Sequence, residues 1–168
     1  MPRDLALGLF FAGFGSRSFL GSGFGSSYFS SRSFLGGGFS GLCVGARLRE
    51  AGVERLRMIE VAGDFGGTWY WNRYPGVQCD IESYIYLPLL EEIGFMPKRR
   101  YTTALEMLEH SKTIARHYDL YRDACFQTEV TEMRWDEDDK RWIVATNRGD
   151  RMRARYVIMA NGPLNRPK

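Results

Sequence analysis

The run GGGFSGLCVGARLREAGVERLRMIE, at residues 36–60, decides the fold because it has the order of a dinucleotide-binding unit: glycine loop, helix, strand and acid. Gly36, Gly38 and Gly41 satisfy the pattern G-x-G-x-x-G. In that pattern the first glycine permits a tight turn, the second lets a pyrophosphate approach the backbone, and the third lets the helix pack closely on the strand. The three glycines therefore predict a phosphate-binding loop.

The residues that follow the glycines strengthen this prediction. Residues 41–51 are predicted to form a helix that Gly52 ends, and the positive end of the helix dipole would face the phosphates. Residues 57–61 are predicted to form the next strand. Glu60 lies at the end of that strand, 19 residues after Gly41, where a carboxylate can bind both hydroxyls of an adenosine ribose.

The strand that should precede the glycines is unusually polar. Residues 30–35 read SSRSFL, whereas a parallel strand that is covered on both faces is nearly all apolar. Burying Arg32 without a partner in the sheet would cost several kcal/mol. Residues 5–11 offer an apolar substitute strand, but the linker to the glycines would then be long. The first strand is therefore the expected weak point of the fold.

A second glycine-containing stretch, GDFGGTWYWNRYPGVQCD at residues 63–80, has the composition of a ligand-binding segment. The glycine pair at 66–67 lets the backbone come close to a ligand. Residues 68–71 (TWYW) supply flat apolar surface with polar edges. The Pro-Gly pair at 75–76 predicts a turn that carries Asp80 back toward the same region. The alternative is an aromatic loop that only fills the core.

One long helix is predicted in the second half of the chain. Thr103 and Glu106 form a capping box that opens a helix running to about Tyr118. His110 and His117 lie on this helix with no cluster of metal-ligating residues beside them, so both are predicted to be surface histidines. The predicted inward face recurs at three- and four-residue steps and consists of Leu105, Leu108, Ser111, Ala115 and Tyr118.

Loops and strands account for the other regions of the second half. Residues 81–90, interrupted by a proline, are predicted to be a loop with a short irregular segment. Residues 127–135 and 141–147 are predicted strands joined by an acidic turn. Residues 155–160 include an unbroken apolar run and predict a strand buried on both faces. This strand ends in the small-residue turn 160–163, at the edge where an open α/β sheet binds ligands.

Composition indicates one globular domain that is not a nucleic-acid binder. The chain has 168 residues with 44% hydrophobic residues, and its net charge of +3 comes from basic residues scattered among acids. No apolar run reaches the roughly 20 residues of a membrane helix, and a signal-peptide reading of residues 5–14 lacks a clear cleavage site. Cys43, Cys79 and Cys125 have neither disulfide nor metal-ligand spacing, so we expect small buried side chains and a cytoplasmic protein.

The first 34 residues differ in composition from the rest. They are rich in Gly, Ser and Phe, and SRSFLGSGFGS at residues 16–26 returns as SRSFLGGGFSG at residues 31–41. Such a composition predicts a poorly ordered segment. The expected organisation is therefore an irregular segment at 1–34, followed by a dinucleotide-binding domain at 35–168.

The stretch GGTWYWNRYPGVQCDIES, at residues 66–83, resembles the segment that follows the first nucleotide-binding unit in the Baeyer–Villiger flavin monooxygenases. The resemblance extends from about residue 36 to residue 168. In residues 160–162, Asn161 replaces the usual Thr of the family's Ala-Thr-Gly segment. It implies an α/β, Rossmann-like FAD-binding domain with a parallel sheet and a small antiparallel β-meander. It also implies that the chain is an incomplete, N-terminal portion of such an enzyme.

The resemblance implies which residues bind the cofactors, and no metal is among them. The glycines at 36, 38 and 41 would hold the FAD pyrophosphate, Glu60 the ribose, and residues 68–71 the ribityl and flavin region. Val130 would contact the adenine through its backbone, and residues 78–80 would also lie near NADPH. The full set of implied cofactor-binding residues is Gly36, Gly38, Gly41, Glu60, Gly67, Thr68, Trp69, Tyr70, Trp71, Gln78, Cys79, Asp80, Tyr86, Val130, Ala160 and Gly162.

The activity implied by the resemblance is oxygenation of a ketone. In that family NADPH reduces FAD, O2 forms a C4a-peroxyflavin, and the ketone substrate becomes an ester or lactone. Most of the NADPH site and the catalytic residues are expected beyond Lys168, so the chain by itself is expected to be inactive. Two alternatives stay open: a non-catalytic or decayed dinucleotide-binding module, and a flavin monooxygenase that oxidises nitrogen or sulfur.

Overall fold

Two sheets and two long helices make up the part of the chain that the computed structural model describes, residues 32–162. Residues 1–31 of the irregular segment predicted at 1–34 lie outside this range, as do the substitute strand at 5–11 and residues 163–168, whereas residues 32–34 of that segment belong to a strand. The elements in chain order are β1 (Arg32–Leu35), α1 (Phe39–Glu50), β2 (Arg57–Ile59), α2 (Thr68–Trp71), α3 (Ser83–Tyr86), α4 (Ala104–His117), a 3-10 turn (Tyr121–Asp123), β3 (Ala124–Cys125), β4 (Val130–Asp136), β5 (Arg141–Thr146), β6 (Arg151–Ala154) and β7 (Tyr156–Met159).

The parallel sheet has the strand order β3-β2-β1-β7. The polar strand β1 occupies an interior position, because Phe34 pairs with Met58 of β2 on one side and with Ile158 of β7 on the other. The strand predicted immediately before the glycines is therefore confirmed. Backbone pairing on both edges specifies its place, since ladder hydrogen bonds do not depend on side-chain type.

Strand β7 departs from its prediction. The prediction of a strand buried on both faces is wrong, because Tyr156 is 45% exposed and Met159 is 52% exposed. The strand lies at one end of the four-stranded sheet, where it pairs with β1 alone among the described strands of that sheet. An apolar run shows that a strand is compatible with burial, but it does not show how many of its faces are covered.

Helix α1 packs its small and aliphatic side chains on β2 and α4. Leu42 and Ala46 are fully buried together with Met58 and Ile114. A Cβ added at Gly45 would come within 3.1 Å of the Leu120 side chain, so this glycine lets the helix approach closely. The helix predicted at residues 41–51 is confirmed, and it starts two residues earlier than predicted.

Helix α4 begins at the predicted cap, where the Thr103 hydroxyl accepts a hydrogen bond from Glu106 N at 3.4 Å. Two predictions about its faces are wrong. Leu105 is 71% exposed rather than inward, and His110 is fully buried rather than on the surface. His117 is exposed, as predicted. The buried face of the helix is Ala104, Met107, Leu108, His110, Ser111, Ile114 and Ala115.

The antiparallel sheet has the order β4-β5-β6 and forms the predicted meander. The sequence predicted its first two strands but not β6, which alternates exposed Arg151 and Arg153 with buried Met152 and Ala154. That alternation is the period-2 pattern of a half-buried strand. Met152 packs with Val144 of β5 and with Ile59 of β2, which joins the two sheets.

The described residues lack membrane-spanning helices, metal-binding clusters and paired cysteines. None of the helices within residues 32–162 has the length and apolar character needed to span a membrane. The same range contains no cluster of three His, Cys, Asp or Glu side chains arranged to hold a metal ion. Cys79 is buried as expected, whereas Cys43 and Cys125 are only half-buried, and all three are free thiols.

Candidate functional site

The glycine loop after β1 is so tightly packed that two of its glycines leave no space for a side chain. Gly36 has φ +113°, and an added Cβ would lie 2.3 Å from the Ala160 carbonyl oxygen. A Cβ on Gly41 would lie 2.0 Å from the carbonyl oxygen of Gly36. Both distances are shorter than any real contact of a Cβ atom. The loop therefore turns through the space that side chains would fill, as the glycine pattern predicts.

Glu60 joins the end of β2 to this loop. Its side chain is 6% exposed, one carboxylate oxygen accepts a hydrogen bond from Gly37 N, and the other accepts from Ala62 N at 2.7 Å. The backbone holds the residue in place because Gly36 N donates to Ile59 O at 2.9 Å and Glu60 N donates to Cys125 O at 2.9 Å. The sequence missed the role of Gly37, the middle one of three consecutive glycines, because it occupies a variable position of the pattern.

Residues 66–67 form a second wall beside the loop. Gly66 N donates to Gly37 O at 2.9 Å. Gly67 has φ +51°, and an added Cβ would lie 2.7 Å from the Gly38 Cα. The two glycine-containing segments, which are far apart in sequence, thus meet backbone to backbone.

The N-terminus of α1 opens beside these glycines. Its N-cap is Gly38, so no side chain caps the helix, and its first turn contains no acidic residue. The first backbone N–H groups of a helix have no partner within the helix and carry the positive end of its dipole. With no capping side chain from Gly38 and no acid in the first turn, this terminus is suited to an anionic group.

An aromatic cluster extends the site away from the glycines. Trp69 is 8% exposed, and its indole Nε1–H donates to the Tyr86 hydroxyl at 3.0 Å. The Phe39 ring packs edge-on against Tyr86, with ring centroids 5.6 Å apart. Burial raises the pKa of Tyr86, and the hydrogen bond from Trp69 offsets part of that rise. The sequence missed Phe39, which occupies a variable position within the glycine pattern.

The other two rings of the TWYW stretch pack against each other. Tyr70 packs edge-on against Trp71 with centroids 5.0 Å apart, and the guanidinium of Arg73 lies 4.7 Å from the centre of the Tyr70 ring. Trp71 is 51% exposed. The Thr68 carbonyl accepts from both the backbone and the side-chain amide of Asn72, each at 2.9 Å, which closes this short helix.

The segment at residues 78–80 lies beside the start of α4. The predicted turn at residues 75–76 is present, and after it Gln78 pairs with Thr103 in an isolated antiparallel bridge. Cys79 is buried, whereas Gln78 and Asp80 are exposed. Burial raises the pKa of Tyr86 most, and the negative charge of Asp80 adds to that rise. Asp80 is therefore within electrostatic reach of the aromatic cluster.

The three remaining predicted residues differ in how closely they approach the glycine loop. Ala160 contacts the loop directly, since its carbonyl oxygen is the atom that excludes a Cβ at Gly36. Val130 is half-buried at the start of β4 and packs on the cluster that contains Ile59, next to Glu60. Gly162 is exposed with φ +63° and has open space around it.

Comparison with known proteins agrees with this geometry. Residues 35–93 match the family model described as an NAD(P)-binding Rossmann-like domain. The chain is 62% identical over 129 residues to pentalenolactone D synthase from Streptomyces exfoliatus, covering 76% of this chain and 22% of the synthase. It is 58% identical over 128 residues to Baeyer-Villiger monooxygenase 4 from Dietzia sp. (strain D5), covering 76% of this chain and 21% of that protein.

Solved structures share the fold. The polycyclic ketone monooxygenase from Thermothelomyces thermophila superimposes with a TM-score of 0.80 at 40% identity, covering 87% of this chain and 25% of that one. The crystal structure of OTEMO in complex with FAD and NADP gives a TM-score of 0.78 at 32% identity, covering 85% of this chain and 27% of that one. The chain thus spans between 21% and 27% of the length of these four relatives.

The fold and the family match define a Rossmann-like dinucleotide-binding domain, which confirms the predicted α/β fold class. More particularly, the chain is homologous to an N-terminal portion of the Baeyer–Villiger monooxygenases, and the resemblance seen in residues 66–83 is confirmed.

Proposed function

We propose that this chain is the FAD-binding portion of an NADPH- and O2-dependent Baeyer–Villiger monooxygenase that converts a small-molecule ketone to an ester or lactone. The observation that carries the proposal is the buried Glu60 carboxylate, which is hydrogen-bonded to the glycine loop beside an uncapped helix N-terminus. FAD binding is proposed for the residues described here. Ketone oxygenation is proposed for a protein of the relatives' length.

The residues present fit an adenine dinucleotide. The uncapped N–H groups of α1 and the glycine loop would hold the pyrophosphate, because they offer positive charge and closely approachable backbone. Each carboxylate oxygen of Glu60 accepts one protein hydrogen bond, and a carboxylate oxygen can accept two, so capacity is left for ribose hydroxyls. The sixteen residues named from the sequence are proposed as the contact set.

Bound FAD would accept hydride from NADPH and activate O2, which supplies the redox chemistry that protein side chains lack. The chain's own residues bind and orient the cofactor. Trp69 and Tyr86 would shield the flavin side from water, because the buried Trp69 and the half-buried Tyr86 form an aromatic pair that is joined by a hydrogen bond. A cytoplasmic location is part of the proposal, as are O2 and a ketone as partners.

Two alternatives share the same cofactor site. A monooxygenase that oxidises nitrogen or sulfur would use the same fold, and the 58% identity to a Baeyer–Villiger monooxygenase favours ketone oxidation over it. A module that binds FAD without catalysis is distinguished by activity: NADPH consumption that depends on a ketone, in a protein of the relatives' length, would rule it out.

The test is FAD binding by the purified 168-residue chain. We expect a yellow protein whose released cofactor is FAD at one equivalent per chain. Glu60→Gln removes the charge that would accept ribose hydroxyls and is expected to weaken FAD binding about tenfold or more, in line with about 1.5–3 kcal/mol for a hydrogen bond to a charged group. The matched control is Glu132→Gln, an exposed acid of β4, which leaves affinity unchanged. A folded wild-type chain that binds no added FAD would overturn the proposal.

A further inference from the structure

Asp64 lies two residues before the glycine pair 66–67, within the second glycine-containing stretch, and it is not among the predicted cofactor-binding residues. Its Oδ1 accepts hydrogen bonds from the Tyr121 hydroxyl at 2.8 Å and from Phe65 N at 2.8 Å. Its Oδ2 lies 2.9 Å from the Lys112 Nζ. We refer to Asp64, Lys112 and Tyr121 as the Asp64 cluster. The cluster joins α4 and the 3-10 turn to the loop that follows β2.

The cluster is only partly accessible to water. The side chains of Lys112 and Asp64 are each 26% exposed. Burial alone would raise the pKa of Asp64, but hydrogen bonds from Lys112, Tyr121 and Phe65 N bring its pKa below the usual range. Burial and the neighbouring carboxylate raise the pKa of Tyr121. Near neutral pH the cluster is therefore a carboxylate held by a cation and a hydroxyl, and such charge-assisted bonds are among the stronger hydrogen bonds in proteins.

The next residue transmits this constraint to the glycine loop. Phe65 is fully buried and packs edge-on against Tyr121, with ring centroids 5.0 Å apart, and against Phe126 at 4.9 Å. A Cβ on Gly37 would lie 2.9 Å from the Phe65 ring. The Phe65 ring thus lies directly under the glycine whose N–H binds Glu60.

Backbone contacts complete the connection. Gly66 N donates to Gly37 O at 2.9 Å, and the Gly67 backbone approaches the Gly38 Cα so closely that no Cβ fits between them. No side chain between the two backbones could absorb a shift. Any displacement of residues 65–67 is therefore passed directly to Gly37 and Gly38.

We propose that Asp64 is a positioning residue for the dinucleotide: its carboxylate, held by Lys112 and Tyr121, fixes residues 65–67 against the glycine loop and so sets the affinity for FAD. The inference rests on the proposed function, because it requires that this chain binds FAD. The competing account is an ion pair that stabilises the fold without influence on the ligand.

The experiment compares FAD affinity, from quenching of flavin fluorescence, with the urea-unfolding stability of the ligand-free protein. Asp64→Asn keeps the shape and the acceptor for Tyr121 but removes the charge, and we expect FAD to bind about tenfold more weakly, equivalent to about 1.4 kcal/mol. Lys112→Met removes only the cation, and we expect it to weaken FAD binding about threefold. Lys112→Arg keeps a cation at this position and is expected to bind FAD as tightly as the wild type. In the double variant Asp64→Asn, Lys112→Met, FAD affinity should fall by less than the product of the two single fold-changes, because the two residues interact directly.

Asp139→Asn is the matched control, since Asp139 pairs with Arg153 at 2.8 Å on the exposed antiparallel sheet. It should leave FAD affinity unchanged. If the wild type binds FAD while both Asp64→Asn and Lys112→Met bind within twofold of it, the positioning role is wrong and the proposed function stands. If the folded wild type binds no FAD, both are wrong. Should Asp64→Asn not fold, Lys112→Met and its rescue by arginine decide the question, because that side chain reaches the cluster from the surface of α4.

Discussion

The glycine loop after β1 and the hairpin between β4 and β5 are both connections at strand ends, but they have opposite surroundings. In the loop, Gly36 and Gly41 are enclosed so closely that an added Cβ would lie within 2.3 Å of backbone oxygen. In the hairpin, Lys140 has φ +49°, and its ion pair with Glu137 at 2.6 Å is exposed on both sides. Backbone packing determines the first connection, whereas water surrounds the second.

This difference separates two kinds of sequence constraint. In the loop the backbone itself forms the site, and it packs so closely that only glycine, which has no Cβ, fits at Gly36 and Gly41. In the hairpin the side chains contact mainly solvent, so several residues would serve at each position. The first region should therefore respond strongly to single substitutions and the second weakly.

The largest effect is expected from Gly41→Ala. Alanine has the higher helix propensity by about 1 kcal/mol, so the substitution would stabilise an unconstrained helix. Here the added Cβ would lie 2.0 Å from Gly36 O, and we expect the free energy of unfolding to fall by about 3 kcal/mol, with loss of FAD binding. Urea unfolding and a flavin titration measure the two effects.

Gly45→Ala is the control for that variant, because it lies one turn further along the same helix. Its Cβ would meet the ends of the flexible Leu120 side chain at 3.1 Å, which can move by a few tenths of an ångström. We expect a change within about 1 kcal/mol in either direction. Equal effects of the two variants would show that the loop is no more constrained than the middle of the helix.

The second prediction concerns His110, which packs against Phe39 at the edge of the glycine loop with ring centroids 6.0 Å apart. Its Nε2 lies 2.7 Å from the Pro88 carbonyl oxygen, and Nδ1 has no hydrogen-bond partner within the described residues. Burial lowers the pKa of His110, and the bond to Pro88 offsets part of this. The unfolded chain therefore binds a proton more readily than the folded one. Stability is retained above about pH 6.5, the ordinary histidine pKa, and is lost as pH falls from there toward the folded-state pKa.

The slope in that interval is at most about 1.4 kcal/mol per pH unit for one proton. Urea unfolding between pH 7.5 and 5 measures it. His110→Gln should remove most of this slope while lowering stability at pH 7.5, since a buried site is repacked. His117→Gln, at an exposed position on the same helix, should leave the slope intact. An unchanged slope in His110→Gln would mean that the buried histidine is not the group that titrates.

The same contrast explains what the sequence could and could not predict. Gly36, Gly41 and Glu60 were found from spacing alone, because a tight turn and a strand-end acid need particular residue types at fixed intervals. The capping residue Thr103 was found for the same reason, since a helix start has a local chemical signature.

The errors fell where burial depends on distant parts of the chain. His110 and Leu105 both lie on α4, yet their exposures are the reverse of the predicted ones. Helical periodicity predicts that one side of a helix is apolar, but it does not determine which side faces the core. Here that side is determined by contacts with Phe39, Phe95 and the aliphatic residues of α1. The polarity of Arg32 argued against a strand before the glycines, yet this strand forms because it pairs through its backbone with β2 and with β7.

The smallest effect is expected at Lys140 in the hairpin. Its positive φ costs a residue with a side chain roughly 1 kcal/mol relative to glycine, while an exposed ion pair contributes between about 0 and 1 kcal/mol. We therefore expect Lys140→Met, which removes only the charge, to lower the free energy of unfolding by less than about 0.5 kcal/mol. Lys140→Gly relieves the backbone as well and should be neutral or stabilising by up to about 1 kcal/mol. Neither variant should change FAD affinity, and a loss above 1 kcal/mol in Lys140→Met would mean that side chains, not backbone and solvent, determine this connection too.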